Sequence, residues 1–253
     1  MNWPWVTARR RRQRNEGLDA DVAAQVARWV PAVAELDAAD RAVHEGLMAV
    51  FLHEKSFEGC GGLELTDEIR LTIAATACLL LVGLDVDEPF PGLDVIRVYP
   101  STVRIPRAER EGWLVTEANA PHLGLSSRRG FVVVSWDAVA AGARRPHDGQ
   151  NVVLHEFAHQ LDTESGAADG APLLPPSLYA PWARILGAAF ARLTEDVAAG
   201  RRTAIDAYGA TNPAEFFAVV TELFFERPEV LRAADPALYD VFVKYYRPTT
   251  AGD

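Results

Sequence analysis

The stretch from Val152 to Asp162, VVLHEFAHQLD, is the tightest constraint on what this chain can fold into. Val152, Val153, Leu154, Phe157 and Leu161 recur at helical spacing and demand burial, so the segment reads as a helix packed into a core. Asp148 and Gly149 supply its start signal. His155 and His159 stand four apart and share one face, where both imidazoles can reach one ion. Glu156 then lies beside the metal, placed to take a proton from an activated water. The plainer reading of these residues is two satisfied core histidines and a solvated glutamate. Asp162 falls about 20° from His155 at ~100° of turn per residue, on the histidine side. An acid in a last turn opposes the helix dipole, and accepting a hydrogen bond from a ligand histidine would give Asp162 a reason to be there.

A catalytic zinc commonly takes three protein ligands and keeps one position for water, so a third ligand must be found. The longer pattern HExxHxxGxxH fails, because Asp162 stands at its glycine and Ser165 at its third histidine. Glu164 would point to the far side of a continued helix, and Glu195 has surface-type neighbours. Glu215 stands on the first turn of a strongly apolar helix whose Asn212 is an N-cap and whose Pro213 suits the first helical position. The same Asn212-x-x-Glu215 spacing is that of a capping box, in which Glu215 would only satisfy a backbone donor. Spacing leaves these two roles for Glu215 even. Glu222, two turns on along the same face, is a weaker choice for a ligand or for a group that bonds one.

The remaining chain supports a soluble, helix-rich body. Its 253 residues are 49% hydrophobic, enough for one large or two small domains. A net charge of −10 argues against a general nucleic-acid or anionic-membrane surface. Cys60 and Cys78 are too few for a disulfide framework and suit a reducing compartment, so a cytoplasmic location is expected. Residues 1–17, with Arg9 to Arg12 and Arg14, read as a solvated basic lead-in with no apolar segment of the kind a secretory signal needs. The apolar run from Leu71 to Leu84 falls short of the roughly 20 residues that cross a bilayer, and reads as a core helix.

Apolar spacing predicts helices over 18–36 with a break near Pro31, over 38–54 with Asp37 as cap and Val43, Leu47, Val50 and Phe51 on its apolar face, and after Thr66. His44 and His53 read as ordinary packed or surface residues. Alternation predicts strands at 95–99, 103–105, 113–116, 122–125 and 131–136, the last two joined by a hairpin loop, hence a small mixed or antiparallel sheet. The strand at 131–136 is either an edge on which a substrate strand can add or an interior strand. Further helices are expected at 138–143, 177–199, 213–226, 228–232 and 237–246, with a Gly/Ala/Pro loop at 166–176 of the kind that borders clefts. A single domain over 18–247 and a tail at 248–253 complete the expected organisation.

The segments HEFAHQLD at 155–162 and IDAYGATNPAEFFAVVTELFFERPE at 205–229 resemble the Mlc titration factor A family of bacterial zinc peptidases. The Trp-Pro-Trp start, Val-Tyr-Pro at 98–100 and Ser-Trp at 135–136 extend the likeness over most of the chain. The catalytic half also resembles the peptidase domain of anthrax lethal factor through its Tyr-Gly-x-Thr-Asn-x-Ala-Glu-Phe-Phe segment. The resemblance implies a helix-rich α+β zincin-like fold and a gluzincin-type site that holds one zinc ion per chain. It implies His155, His159 and Glu215 as ligands, Glu156 as general base and Tyr208 as a hydroxyl donor near the metal. Without it, Tyr208 would read as a packed aromatic. The implied substrate is a peptide or protein; the family is also named for sequestering a transcriptional repressor, which implies a binding role as the alternative. Glu58-Gly59-Cys60 faintly resembles the cysteine-ligand motif of peptide deformylases, but the following glycines and the distance to His155 suit a turn better.

Overall fold

The computed structural model describes residues 3–102 and 130–247, which fall into two compact units, Met1–Pro146 and His147–Asp253. The strands expected at 103–105, 113–116 and 122–125, the loop before Gly130 and the tail after 247 lie outside the described residues.

In the first unit, helix α1 (Pro4–Glu16) is followed by α2 (Ala20–Trp29) and the short α3 (Pro31–Ala34), with Pro31 opening α3 where the break was expected. Helix α4 (Ala38–Glu54) is capped by Asp37, whose carboxylate accepts the Ala39 and Asp40 N–H groups. Its Leu47, Val50 and Phe51 are buried, whereas Val43 is exposed and His44 takes the inward place, bonding Ala75 O at 2.8 Å. Gly46 explains part of that rotation, since a Cβ there would meet Arg14 O at 2.8 Å and only glycine lets α1 lie so close. Residues expected as a solvated lead-in thus form a docked helix. Its Arg10 is buried, with Glu54 at 2.9 Å and Glu88 at 2.8 Å, and Arg9 reaches Glu54 at 2.7 Å.

Thr66 caps α5 (Asp67–Leu79), a helix buried from Leu71 through Cys78, as a run free of charged residues with only Thr72 and Thr76 polar requires. Strands β1 (Ser56–Gly59), β2 (Val95–Tyr99) and β3 (Phe131–Ser135) form a sheet in the order β1-β2-β3, and α6 (Trp136–Arg144) follows β3 directly. The helix-rich α+β class holds. The expectation of a mixed or antiparallel sheet is corrected for the described strands, because both pairings are parallel. A parallel return needs a long crossover, and the 59–95 connection carries α5 to make it. Ile96 pairs with Val132 and Val98 with Val134, all buried. Among the described strands β3 lies at an edge.

The second unit is built from α7 (Val152–Thr163), α8 (Tyr179–Ala198), a 3-10 turn (Ala207–Ala210), α9 (Pro213–Glu226), α10 (Pro228–Ala234) and α11 (Pro236–Tyr246). An aromatic cluster holds α8, α9 and α11 together: Trp182 stacks on Phe242 at 5.2 Å, and Phe217 meets both at 5.9 Å. Truncating a buried ring such as Phe217 to alanine costs about 3–5 kcal/mol. Gly170 joins the loop after α7 to two of these helices. Its N–H donates to Asp162 Oδ2 at 2.9 Å and its carbonyl accepts Trp182 Nε1 at 2.8 Å. With φ at +81° and a would-be Cβ 2.5 Å from Pro213 O, the position admits only glycine without strain.

Candidate metal centre

Helix α7 begins at Val152, past its Asp148-Gly149 signal, at a cap of its own. Asn151 Oδ1 accepts the Leu154 N–H at 3.2 Å. Val153, Leu154, Phe157, Ala158 and Leu161 are buried, which fixes the rotation of the helix and turns His155 and His159 toward α9. Helix α9 starts at Asn212, whose side chain accepts the Glu215 N–H at 2.9 Å. That is one half of a capping box. Instead of the reciprocal bond, Glu215 Oε2 lies 3.2 Å from His155 Nε2 and 3.4 Å from His159 Nε2. The first turn of α9 therefore presents Glu215 to the two histidines while its backbone is capped by Asn212.

One ligand atom from each of His155, His159 and Glu215 lies within 4.8 Å of the others, the one such cluster among the described residues. Two imidazole nitrogens and a carboxylate oxygen make the donor set of a catalytic zinc. The chemistry around them fits a cation. Glu156 Oε2 is sealed from solvent with no hydrogen-bond partner, an arrangement that is costly unless something electropositive or a bound water meets it. Burial raises the affinity of Glu156 for a proton; His155 and His159 oppose this, while Glu215 and Glu222 reinforce it. A base poised nearer neutrality suits proton transfer.

The histidines and acids also perturb each other. Burial disfavours a charged His155, but its bonds to Glu215 and Glu222 outweigh this and raise its proton affinity. Burial likewise pushes Glu215 up, yet hydrogen bonds from His155 and His159 hold it well below the usual carboxylate range. His155 thus lies between two carboxylates, Glu215 at Nε2 and Glu222 at Nδ1.

The other expected residues have distinct surroundings. Glu222 Oε2 lies 3.4 Å from His155 Nδ1, and its Oε1 accepts the Asn151 N–H. Asp162 is fully buried, its Oδ2 on Gly170 and its Oδ1 without a hydrogen-bond partner. Burial pushes its pKa up to about 6, against the Gly170 N–H and the influence of His159. Tyr208 sits on the 3-10 turn, its N–H taken by Asp206 at 2.8 Å and its ring 6.1 Å from that of His155. It is 37% exposed, and burial, Glu215 and Glu156 all keep its hydroxyl protonated. Glu195 is on the surface. Cys60 lies outside the ligand cluster, its Sγ donating weakly to Glu58 O at 3.8 Å.

Sequence reasoning missed Asn151 and Glu226. Asn151 Nδ2 donates to Glu226 Oε1 at 3.1 Å, and the His147 N–H donates to Glu226 Oε2 at 2.7 Å. Asn151 was readable as a cap directly before an apolar run. Glu226 had only the signal of an acid one turn after Glu222 in an otherwise apolar helix.

A family profile described as glucose-regulated metallo-peptidase M90 matches residues 5–247. The chain is 41% identical to an uncharacterised protein of Synechocystis sp. over 220 residues, 86% of this chain and 80% of the relative. It is 33% identical to Mlc titration factor A of Klebsiella pneumoniae and 31% identical to that of Escherichia fergusonii, each over 98% of this chain and 91% of the relative.

Proposed function

We propose that this chain, which belongs to the glucose-regulated metallo-peptidase M90 family, is a zinc-dependent peptidase that hydrolyses peptide bonds with Glu156 as general base. The observation that carries the reading is the convergence of His155, His159 and Glu215 within 4.8 Å beside a glutamate with an unpartnered, solvent-sealed oxygen. One zinc ion per chain would be held by His155, His159 and Glu215. When bound, zinc supplies Lewis-acid polarisation of a carbonyl and acidifies water at neutral pH.

The residues do the rest. Glu156 takes one proton from the attacking water as its oxygen adds to the scissile carbonyl carbon. It returns that proton to the amine nitrogen as the C–N bond breaks, so its own charge is restored. Tyr208 donates its hydroxyl hydrogen to the developing oxyanion, the state in which its raised pKa keeps it available as a donor. The buried α7–α9 pair orients His155, Glu156, His159 and Glu215 before substrate arrives.

A second reading rests on the relatives' name, Mlc titration factor A: the chain binds a transcriptional repressor, alone or in addition to hydrolysis. Both cysteines are free thiols, which accords with the reducing cytoplasm where such a partner would be met. No helix among the described residues is long and apolar enough to cross a membrane.

The deciding experiment is metal analysis of the purified protein with a peptide-library assay before and after chelation. One equivalent of zinc and chelation-sensitive cleavage are expected. Glu156→Gln should keep the metal and repressor binding while hydrolysis falls about 10²–10⁴-fold. Undiminished cleavage by that variant would refute the mechanism.

A further inference from the structure

The two oxygens of Glu222 serve two different groups on the same turn of α7. Oε1 accepts the backbone N–H of Asn151, the residue that caps the helix, and Oε2 lies 3.4 Å from Nδ1 of His155, four residues later. His155 N–H in turn donates to Asn151 O at 3.1 Å, so one carboxylate spans a closed turn of backbone and the imidazole that projects from it. The remaining nitrogen of that imidazole, Nε2, is the one 3.2 Å from Glu215.

We propose that Glu222 is a positioning residue for the metal centre, accepting the Nδ1–H of His155 so that the ring holds the tautomer and orientation in which the Nε2 lone pair faces Glu215 and His159. This deepens the zinc-site reading and rests on it. A neutral imidazole carries one N–H and one lone pair, and whichever nitrogen finds an acceptor keeps the hydrogen. A carboxylate on Nδ1 therefore leaves Nε2 to the ligand cluster and makes it a better donor. Glu222 is suited to this because its side chain is only 17% exposed and both its oxygens are engaged. Asp162, the sequence's choice for such a role, spends Oδ2 on Gly170.

Glu226, one turn further along α9, provides the contrast the test needs. It holds the same helix start, through Asn151 Nδ2 at 3.1 Å and the His147 N–H at 2.7 Å, through neither of the ligand histidines. If Glu222 only anchored the helix, the two glutamates would behave alike.

The test measures zinc affinity of the full chain by competition with a chromophoric chelator, together with the His155 ring signals by proton–nitrogen NMR of the zinc-loaded protein. Glu222→Ala is expected to weaken zinc about 10–100-fold, and Glu222→Gln, which keeps one acceptor for two donors, about 3–10-fold. Glu226→Gln should lower the melting temperature and leave zinc affinity within about threefold of wild type. A slowly exchanging Nδ1–H on His155 should be seen in wild type and lost to water exchange in Glu222→Ala. Should that variant fail to fold, the affinity loss and faster Nδ1–H exchange in Glu222→Gln decide the matter. Unchanged zinc affinity in the Glu222 variants, equal loss in Glu226→Gln, or an Nδ1–H that stays protected would each overturn the proposal. A wild-type protein that takes up no zinc would instead refute the zinc-site reading itself.

Discussion

Two regions of this chain bury charge, one in each compact unit, and they balance it in opposite ways. Around α1 and α4, Arg9 and Arg10 converge on Glu54, Arg10 also pairs with Glu88, and the buried Lys55 donates to Phe90 O at 2.9 Å. Guanidinium groups meet carboxylates there, and opposite charges within the protein offset most of the burial penalty, although Arg9 Nε is a buried donor without a hydrogen-bond partner. Around His155 the acids lead: the charges acting on Glu156 come from two histidines and from Glu215 and Glu222, and Glu156 keeps a buried oxygen without a partner. A network of paired opposite charges is a device of folding. One whose carboxylates converge on imidazoles, with an orphaned acceptor alongside, leaves charge unbalanced within the protein and is compatible with a metal ion.

The sharpest way to break this contrast is to delete one carboxylate from each network. Glu215→Ala should abolish stoichiometric zinc and reduce peptide hydrolysis at least about 10³-fold, since metal and polarisation go together. Glu54→Ala should leave zinc and hydrolysis at 20 °C near wild type but cost roughly 3 kcal/mol of stability, because two arginines lose their partner in a largely buried place. Metal analysis, a peptide assay and urea unfolding on the two variants read out all three quantities. Loss of zinc in Glu54→Ala, or a large stability loss with retained zinc in Glu215→Ala, would erase the distinction drawn between the two regions.

Chelation is the next test in size. A ligand that binds only the folded state stabilises by about 2.7 kcal/mol at one hundred times its dissociation constant. Removing zinc should therefore lower the melting temperature by several degrees in wild type and Glu54→Ala alike, and not at all in Glu215→Ala. Scanning calorimetry with and without chelator checks this.

How much of this was legible from the residues alone follows the same divide. The helices came through well, because apolar spacing and caps are local signals: Asp37, Thr66 and Asn212 all cap where expected. His155, His159 and Glu215 do converge, though spacing left Glu215 divided between a ligand and a cap, and the structure shows its backbone capped and its carboxylate free to turn inward. What escaped was non-local. Arg10 looked like one of a solvated run because its partners Glu54 and Glu88 lie far along the chain. Strand β1 has four residues with only Phe57 partly buried, so it carries no alternation to read, and the parallel register depends on a crossover rather than on any turn motif.

A smaller effect is expected at Tyr208. Its ring stands beside His155, half-exposed at the rim of the cluster rather than among the ligands. Tyr208→Phe should keep zinc and stability while kcat falls about 10²-fold with KM little changed, as for loss of one oxyanion donor. A change in KM alone would make Tyr208 a substrate contact instead.

The smallest expected effect, and the one that isolates the self-balanced network, is its response to acid. Burial alone would push Glu54 up, but hydrogen bonds from Arg10 and Arg9 outweigh it and hold the carboxyl below its ordinary value of 4.5. A carboxyl whose folded pKa is depressed contributes stability that is present above the unfolded value and is lost as pH falls through the folded one. Wild type should therefore exceed Glu54→Gln in unfolding free energy by a constant amount from pH 7 to about 5, and the gap should shrink below the ordinary carboxylate pKa. Taking the difference between the two proteins cancels the site acids, which titrate in both. Urea unfolding at pH 7, 5 and 4 measures it. A gap that widened as pH fell would mean that Glu54 is protonated in the fold and that the first network, too, awaits a charge from elsewhere.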